Sequence, residues 1–182
     1  MNNIEQPNTG ASSEEEPVNF PESLSERDIE LVREQCEEQE ATSKEQLEGF
    51  AKAYAEAKEL AHDADKLEVL TPNETEELIL HLAKLIEPRN EKGYRRTPVT
   101  FANGNSGLDP ELIPRAISVF VEAYVEGAMV PDEAYEEFEK IHPFEDGNGR
   151  VGDLLWKIAK KRIEGEWPDS IPEDPFKRND SN

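Results

Sequence analysis

Apolar residues recur at helical spacing along most of this chain, and that periodicity restricts its fold more than any other feature. The clearest stripe comprises Ile113, Ile117, Phe120, Val121 and Tyr124, and it ends at Gly127, a residue type that often terminates helices. Five other segments share the spacing, so the sequence predicts a mostly α-helical domain. The six predicted helices begin near Ser25, Ser43, Glu74, Pro110, Pro131 and Asn148.

One stretch lacks the helical pattern. Residues 94–101 (YRRTPVTF) are rich in β-branched and aromatic side chains, and the turn-forming sequence NGNSG follows at 103–107. This composition predicts a short extended segment or β-hairpin in an otherwise helical domain.

The 182 residues suffice for one domain with a tail. Residues 1–48 carry 14 acidic and 3 basic side chains, and residues 1–24 add proline, serine and asparagine but few apolar groups. We therefore predict a disordered acidic tail over 1–24, with a docking arm for a basic partner as the alternative. A helical domain would span 25–166, and an extended C-terminal tail, 167–182, would be pinned by Trp167 and Phe176.

Charge and composition exclude several classes of function. The formal net charge of −22 disfavours binding to DNA or RNA backbones and to anionic membranes. The single cysteine, Cys36, cannot form an internal disulfide, and no apolar run is long enough to span a membrane. The first residues do not resemble a secretory signal. We expect a cytoplasmic protein, or one secreted into a host cell by a route that the sequence does not reveal.

The stretch HPFEDGNGR, residues 142–150, combines groups suited to phosphate chemistry. Gly147, Asn148 and Gly149 let backbone N–H groups turn toward one point, and the helix predicted from Asn148 adds free N–H groups and a positive dipole end. Arg150 adds a forked cation. These features predict an anion cradle.

Two further side chains in the stretch could supply the remaining chemistry. Asp146 could hold Mg²⁺ together with phosphate oxygens, and His142 could accept a proton from an attacking hydroxyl. The combination predicts phosphoryl or nucleotidyl transfer.

Simpler interpretations of the same residues exist. Asp146-Gly147-Asn148 alone is a common turn, and a lone histidine is more often a satisfied core residue. An EF-hand calcium loop would need glycine at the sixth position from Asp146, where the chain has Val151. A Walker A sequence does not occur.

HPFEDGNGR resembles the signature of the Fic (Fido-fold) family, His-x-Phe-x-Asp/Glu-Gly-Asn-Gly-Arg-x-x-Arg, at every specified position except the last. The resemblance covers roughly residues 45–165 and includes Gly93-Tyr94-Arg95 before the predicted hairpin. It implies a helical bundle with a β-hairpin flap over the active site. It also implies transfer of AMP from ATP to a Ser, Thr or Tyr hydroxyl of a target protein.

The resemblance assigns roles to individual residues. His142 would be the general base, Phe144 would anchor the loop, and Asp146 would bind Mg²⁺. The phosphates of ATP would be held by Gly147, Asn148, Gly149 and Arg150.

The flap would bind the target's backbone as an added strand. Its residues would be Thr97, Pro98, Val99, Thr100 and Phe101, and an ordinary surface hairpin is the alternative.

The chain departs from the signature at Asp153, where the family has an arginine that contacts the terminal phosphate of ATP. A helical wheel groups Arg150, Asp153 and Lys157 on one strip, opposite the apolar face. Asp153 would either face the nucleotide, so that arginine there would tighten ATP binding by roughly tenfold, or form a weak surface pair with Lys157.

The departure leaves three functions open. They are a protein AMP-transferase, a Fic-fold transferase that uses another donor or transfers phosphate, and a degenerate module that only binds a nucleotide or peptide. Relatives that act as kinases generally carry lysine where this chain has Gly149, which favours nucleotide transfer. The family's inhibitory motif, Ser/Thr-x-x-x-Glu-Gly/Asn, does not occur in the sequence, so a regulator would be a separate antitoxin-like chain.

Overall fold

The structure is a computed structural model that describes residues 17–101 and 103–176. Within these residues the chain forms seven α-helices, one more than the sequence predicts. They are α1 (Glu26–Glu38), α2 (Lys44–His62), α3 (Ala64–Glu68), α4 (Pro72–Ile86), α5 (Ile113–Glu126), α6 (Pro131–Ile141) and α7 (Asn148–Glu164). Short 3₁₀ turns occupy Pro88–Lys92 and Pro110–Leu112. None of the helices in this part of the chain is long and apolar enough to cross a membrane.

Local side chains explain where several helices begin. The Ser25 hydroxyl and the Asp28 carboxylate cap α1 reciprocally. The same device starts α4, where Thr71 pairs with Glu74, so this helix begins at Pro72, two residues before the predicted start. The additional helix α3 has only five residues and is too short to produce an apolar repeat.

The centre of the fold is α7, which packs against α2, α4 and α6. Every residue from Val151 to Ala159 is buried, including Asp153 and Lys157. The amphipathic pattern predicts one buried face, but the opposite strip is buried as well. Its polar residues are covered by α1 near Gly149 and by the C-terminal segment, residues 167–176, near Lys157.

The predicted hairpin is reduced to a turn. An isolated antiparallel bridge joins Thr100 to Ser106, and N–H groups of Phe101 and Gly107 donate to carbonyls across the turn. No regular strand occurs among residues 17–101 and 103–176. The loop nevertheless folds back on itself where the flap was predicted.

Residues at both ends of the described chain lie against the domain. The Arg33 guanidinium lies 4.8 Å from the Phe20 ring centroid, and Leu24 is buried. Residues 17–24 therefore contact the core, although the sequence assigns them to the disordered tail. At the other end, Trp167 packs edge-on against Tyr54 and donates a hydrogen bond to its hydroxyl. The rest of the predicted tails, 1–16 and 177–182, lies outside the described residues.

Candidate active site

The loop between α6 and α7 is held by a buried arginine. His142, which ends α6, has left-handed backbone angles with φ 48°. Arg95 donates from Nε to the His142 carbonyl at 2.6 Å and from its NH groups to the carbonyls of Thr97 and Leu108. The Arg95 backbone N–H also donates to the Pro143 carbonyl. One side chain thus fixes the histidine loop to the base of the flap.

A side-chain clamp closes the same loop from within. The Asn148 Oδ1 accepts from the Phe144 N–H, and the Asn148 Nδ2 donates to the Phe144 carbonyl, each at 2.9 Å. Phe144 itself is fully buried and packs against the Tyr94 ring. The Asn148 side chain is therefore committed to the loop, and only its backbone N–H could contact a phosphate.

The start of α7 presents backbone donors without a side-chain cap. Its N-cap, Gly147, has left-handed φ 78°, and the first turn contains Asn148, Gly149 and Arg150. Such a helix N-terminus attracts anions through its free N–H groups and its dipole.

Arg150 is a fully buried cation with few acceptors around it. Both terminal NH groups lack a hydrogen-bond partner among the described residues. Its Nε lies 3.4 Å from the Gln39 Oε1, and its NH2 lies 3.6 Å from a carboxylate oxygen of Asp146. A buried guanidinium that is this incompletely paired favours an anionic ligand.

The last turn of α1 covers the glycine of the cradle. The Gln35 Nε2 is 3.4 Å from the Gly149 carbonyl. A Cβ added at Gly149 would lie 2.7 Å from the Gln39 Nε2, so a larger residue would collide with that side chain. A larger residue at position 149 would therefore require the end of the Gln39 side chain to move.

Asp146 lies beside the cradle and is 42% exposed. Its Oδ2 accepts from Arg89 at 2.7 Å, and its Oδ1 accepts from the Gly147 N–H. The residues described by the structure contain no group of three or more potential metal-binding side chains of the His, Cys, Asp and Glu types. A metal ion at Asp146 would thus take most of its ligands from a bound phosphate or from water.

A cavity of about 860 Å³ opens beside His142 and Gly149, between α1, α6 and the C-terminal segment. Most of its charged side chains are acidic, so an anionic ligand would enter more readily with a cation bound to it. The charged residues of the wall are Arg27, Glu34, Glu38, Glu139, Asp169, Glu173 and Asp174.

The imidazole of His142 lies in this wall with a quarter of its side chain exposed. The Phe101 ring packs edge-on against it, with 5.2 Å between ring centroids. Burial, reinforced by the charge of Arg95, lowers the pKa of His142 to about 4. The ring is therefore neutral at pH 7 and free to accept a proton.

The flap residues lie along the exposed side of the site. Thr97, Pro98 and Thr100 are exposed, and Val99 and Phe101 are half-buried. The Thr97 hydroxyl donates to the Glu145 carboxylate, which ties the flap to the histidine loop. Phe101 also stacks on Phe176 of the C-terminal segment, with 4.4 Å between centroids.

The sequence matches the model of the Fic/DOC family over residues 75–158, from α4 to most of α7. The chain contains a Fic domain. A crystal structure of a Fic domain-containing signaling protein from Bacteroides thetaiotaomicron superposes with a TM-score of 0.54 and 26% sequence identity. The superposition covers 65% of this chain and 48% of that protein, so the chain spans about half the length of this relative. Comparison with curated proteins gives no match.

Asp153 departs from the Fic signature and does not line the cavity described above. It is fully buried, and its Oδ1 lies 3.4 Å from the Lys157 Nζ, which is buried as well. Lys157 also donates to the carbonyls of Pro168 and Ser170. The predicted pair of Asp153 and Lys157 is present, but it is buried rather than at the surface, because the C-terminal segment covers it. That Asp153 faces the nucleotide stays a prediction.

Several residues of the Fic site carry no signal in the sequence. Arg89 and Arg95 lie about 50 residues before the loop that they contact, and Gln39 lies more than 100 residues before Arg150. Arg95 belongs to the Gly93-Tyr94-Arg95 resemblance, which was the one available indication. Gln39 and Arg89 belong to no motif.

Proposed function

We propose that this Fic domain transfers AMP from ATP to a Ser, Thr or Tyr hydroxyl of a target protein. The observation that carries the proposal is the buried Arg150, whose two terminal NH groups lack hydrogen-bond partners in the described chain. It lies at an uncapped helix N-terminus near a neutral histidine. A phosphate group satisfies both the guanidinium and the helix N–H groups.

In the proposed reaction, His142 removes the proton of the target hydroxyl. The hydroxyl oxygen forms a bond to the α-phosphorus of ATP, and the bond from that phosphorus to pyrophosphate breaks. Arg150 and the backbone N–H groups of the first turn of α7 hold the phosphate oxygens. Phosphate entry requires the Gln39 side chain to leave the face of Gly149.

Asp146 fits a Mg²⁺ ion that is shared with the donor. Its exposed carboxylate is the kind of single protein ligand that Mg²⁺ takes beside phosphate oxygens and water, and Arg89 would have to share or release it. The bound ion would neutralise phosphate charge, which the acidic cavity wall would otherwise repel. A metal ion and ATP therefore belong together in this proposal.

The target polypeptide would lie along the flap. Residues 97–101 are exposed or half-buried, and Phe101 lies beside His142. A bound strand would place its hydroxyl near the proposed base.

The test uses ATP labelled at either the α or the γ phosphate, with Mg²⁺, a cell lysate and the purified protein. Transfer of label from α alone, abolished by His142→Ala, supports the proposal. Transfer from γ alone would show a kinase instead. Nucleotide binding without any transfer would favour a binding module.

A different nucleotide donor is the second candidate, and Asp153 is the observation that favours it. The position at which the Fic signature has its last arginine carries a carboxylate committed to Lys157, so it offers no cation to a terminal phosphate. Competition of unlabelled CTP, GTP, UTP and ADP against labelled ATP tests this. A nucleotide that binds more than tenfold more tightly than ATP would replace ATP as the proposed donor. A separate antitoxin-like regulator stays a prediction.

A further inference from the structure

A buried glutamate lies directly behind the proposed base. Glu139 occupies the last turn of α6, three residues before His142, and is only 6% exposed. Its Oε2 is 3.8 Å from the His142 Nδ1. His142 follows the end of this helix with left-handed backbone angles.

One atom of each side chain is buried without a hydrogen bond. These atoms are the His142 Nδ1 and the Glu139 Oε1, and neither has a hydrogen-bond partner within the described chain. Buried polar atoms usually find partners, and the Glu139 carboxylate is an acceptor close to Nδ1, beside the Glu139 backbone carbonyl. A distance of 3.8 Å is too long for a hydrogen bond, but such contacts often shorten when a substrate binds.

The neighbouring helix leaves space for this carboxylate. A Cβ added at Gly152 of α7 would lie 3.0 Å from the Glu139 Oε1 and 2.9 Å from the Tyr135 ring. Glycine at 152 therefore lets Glu139 remain behind His142, and any side chain there would displace it.

We propose that Glu139 is a positioning residue for His142: its carboxylate accepts the Nδ1–H, which leaves Nε2 unprotonated to receive the proton of the target hydroxyl. This inference rests on the proposed function for its consequence in catalysis, but the contact itself can be measured without it. A carboxylate in this position fixes the tautomer of the ring and stabilises the imidazolium that forms.

The protonation of Glu139 should make this support depend on pH. Burial, with the charge of Asp174, raises the pKa of Glu139 to about 8. Below that pH the carboxyl is protonated and donates to Nδ1, which leaves the ring proton on Nε2 and removes the proposed base. Above it the carboxylate accepts from Nδ1–H, so the transfer rate should rise as the pH passes through about 8. The other ionisable groups around the two residues are Glu38, Arg95, Tyr135, Asp146 and Asp153.

The experiment follows the ring nitrogens of His142 by NMR from pH 6 to 10 in the full chain labelled with ¹⁵N-histidine. His142→Ala assigns its signals among the three histidines. In the wild type we expect an inflection near pH 8, with the Nδ1–H tautomer above it. Glu139→Gln should remove the inflection, whereas Glu136→Gln, an exposed glutamate of the same helix, should leave it unchanged. Identical titration curves for wild type and Glu139→Gln would overturn the proposal.

Two additions keep the test decisive. If Glu139→Gln does not fold, Gly152→Ala displaces the carboxylate without removing it and should shift or abolish the same inflection. Where transfer is observed, Glu139→Gln should lower kcat by at least about tenfold and leave the KM for the donor unchanged. Absence of transfer in every variant, with the inflection present, would count against the proposed function and leave the contact between Glu139 and His142 established.

Discussion

Two turns of α7 each bury a cation, and they surround it differently. In the first turn, the terminal NH groups of Arg150 have no hydrogen-bond partner in the described chain and only a 3.6 Å ion pair with Asp146. In the third turn, Lys157 is surrounded by the Asp153 carboxylate and the carbonyls of Pro168 and Ser170. The first environment suits a cation that binds a ligand, and the second suits a cation that stabilises the fold.

The comparison also shows how the fold accommodates a carboxylate at the position where the Fic signature has its last arginine. Burial raises the pKa of Asp153 and lowers that of Lys157, and the attraction between them opposes both shifts. The pair therefore compensates its own charge, and its effect on the fold is local to α7 and the C-terminal segment. The proposed phosphate site and the structural pair therefore lie in different turns of one helix.

The largest expected effect is on the transfer rate, through His142 in the loop that precedes α7. His142→Ala should lower the transfer rate at least 10²- to 10⁴-fold, because it removes the proposed base, and should change stability little. Radiolabel transfer and thermal melting measure the two quantities. Transfer at the wild-type rate would exclude His142 as the base.

Lys157→Met should strongly destabilise the protein and leave donor affinity unchanged in the folded fraction. The substitution leaves the Asp153 carboxylate buried and unpaired, which typically costs about 3–5 kcal/mol. Urea denaturation measures the loss. The double variant Asp153→Leu/Lys157→Met is the control and should recover most of the stability, because no unpaired charge remains.

The same reasoning reverses an expectation from the sequence. Asp153→Arg should not tighten ATP binding, because it would place a second buried cation beside Lys157. A stable Asp153→Arg protein with tighter ATP binding would show that position 153 reaches the nucleotide.

Arg150→Met should lower donor affinity and change stability little, which is the opposite of the effect expected for Lys157→Met. Charge-assisted hydrogen bonds contribute about 1.5–3 kcal/mol, so donor affinity should fall by about 10- to 100-fold. Stability should change by no more than about 1 kcal/mol, since few bonds within the protein are lost. Calorimetric titration measures the donor affinity of both variants, and urea denaturation measures their stability. Similar results for the two variants would show that Arg150 and Lys157 do not differ in role.

The smallest expected effect concerns the helix that covers the cradle. Gln39→Ala removes the side chain that lies against Gly149 and should tighten donor binding by about two- to tenfold, the range expected for one hydrogen bond. Glu37→Ala, an exposed neighbour on the same helix, is the control. Weaker binding in Gln39→Ala would instead identify Gln39 as a ligand of the donor.

The sequence by itself determined the helices, because apolar spacing and capping residues act within a few positions. Ser25, Ser43 and Gly127 mark helix ends in the structure as the sequence predicts. It also determined the Fic domain, because the loop that carries His142, Asp146 and Arg150 is one continuous stretch.

Only the tertiary structure decided which charges are buried and what they contact. The polar strip of α7 resembles a solvated face in sequence, but α1, more than 100 residues away, and the C-terminal segment cover it. The proposed contact of Glu139 with His142 likewise involves residues at the end of α6 and the space beside Gly152 in α7. Periodicity shows which residues share a face, but burial depends on which distant elements pack against that face.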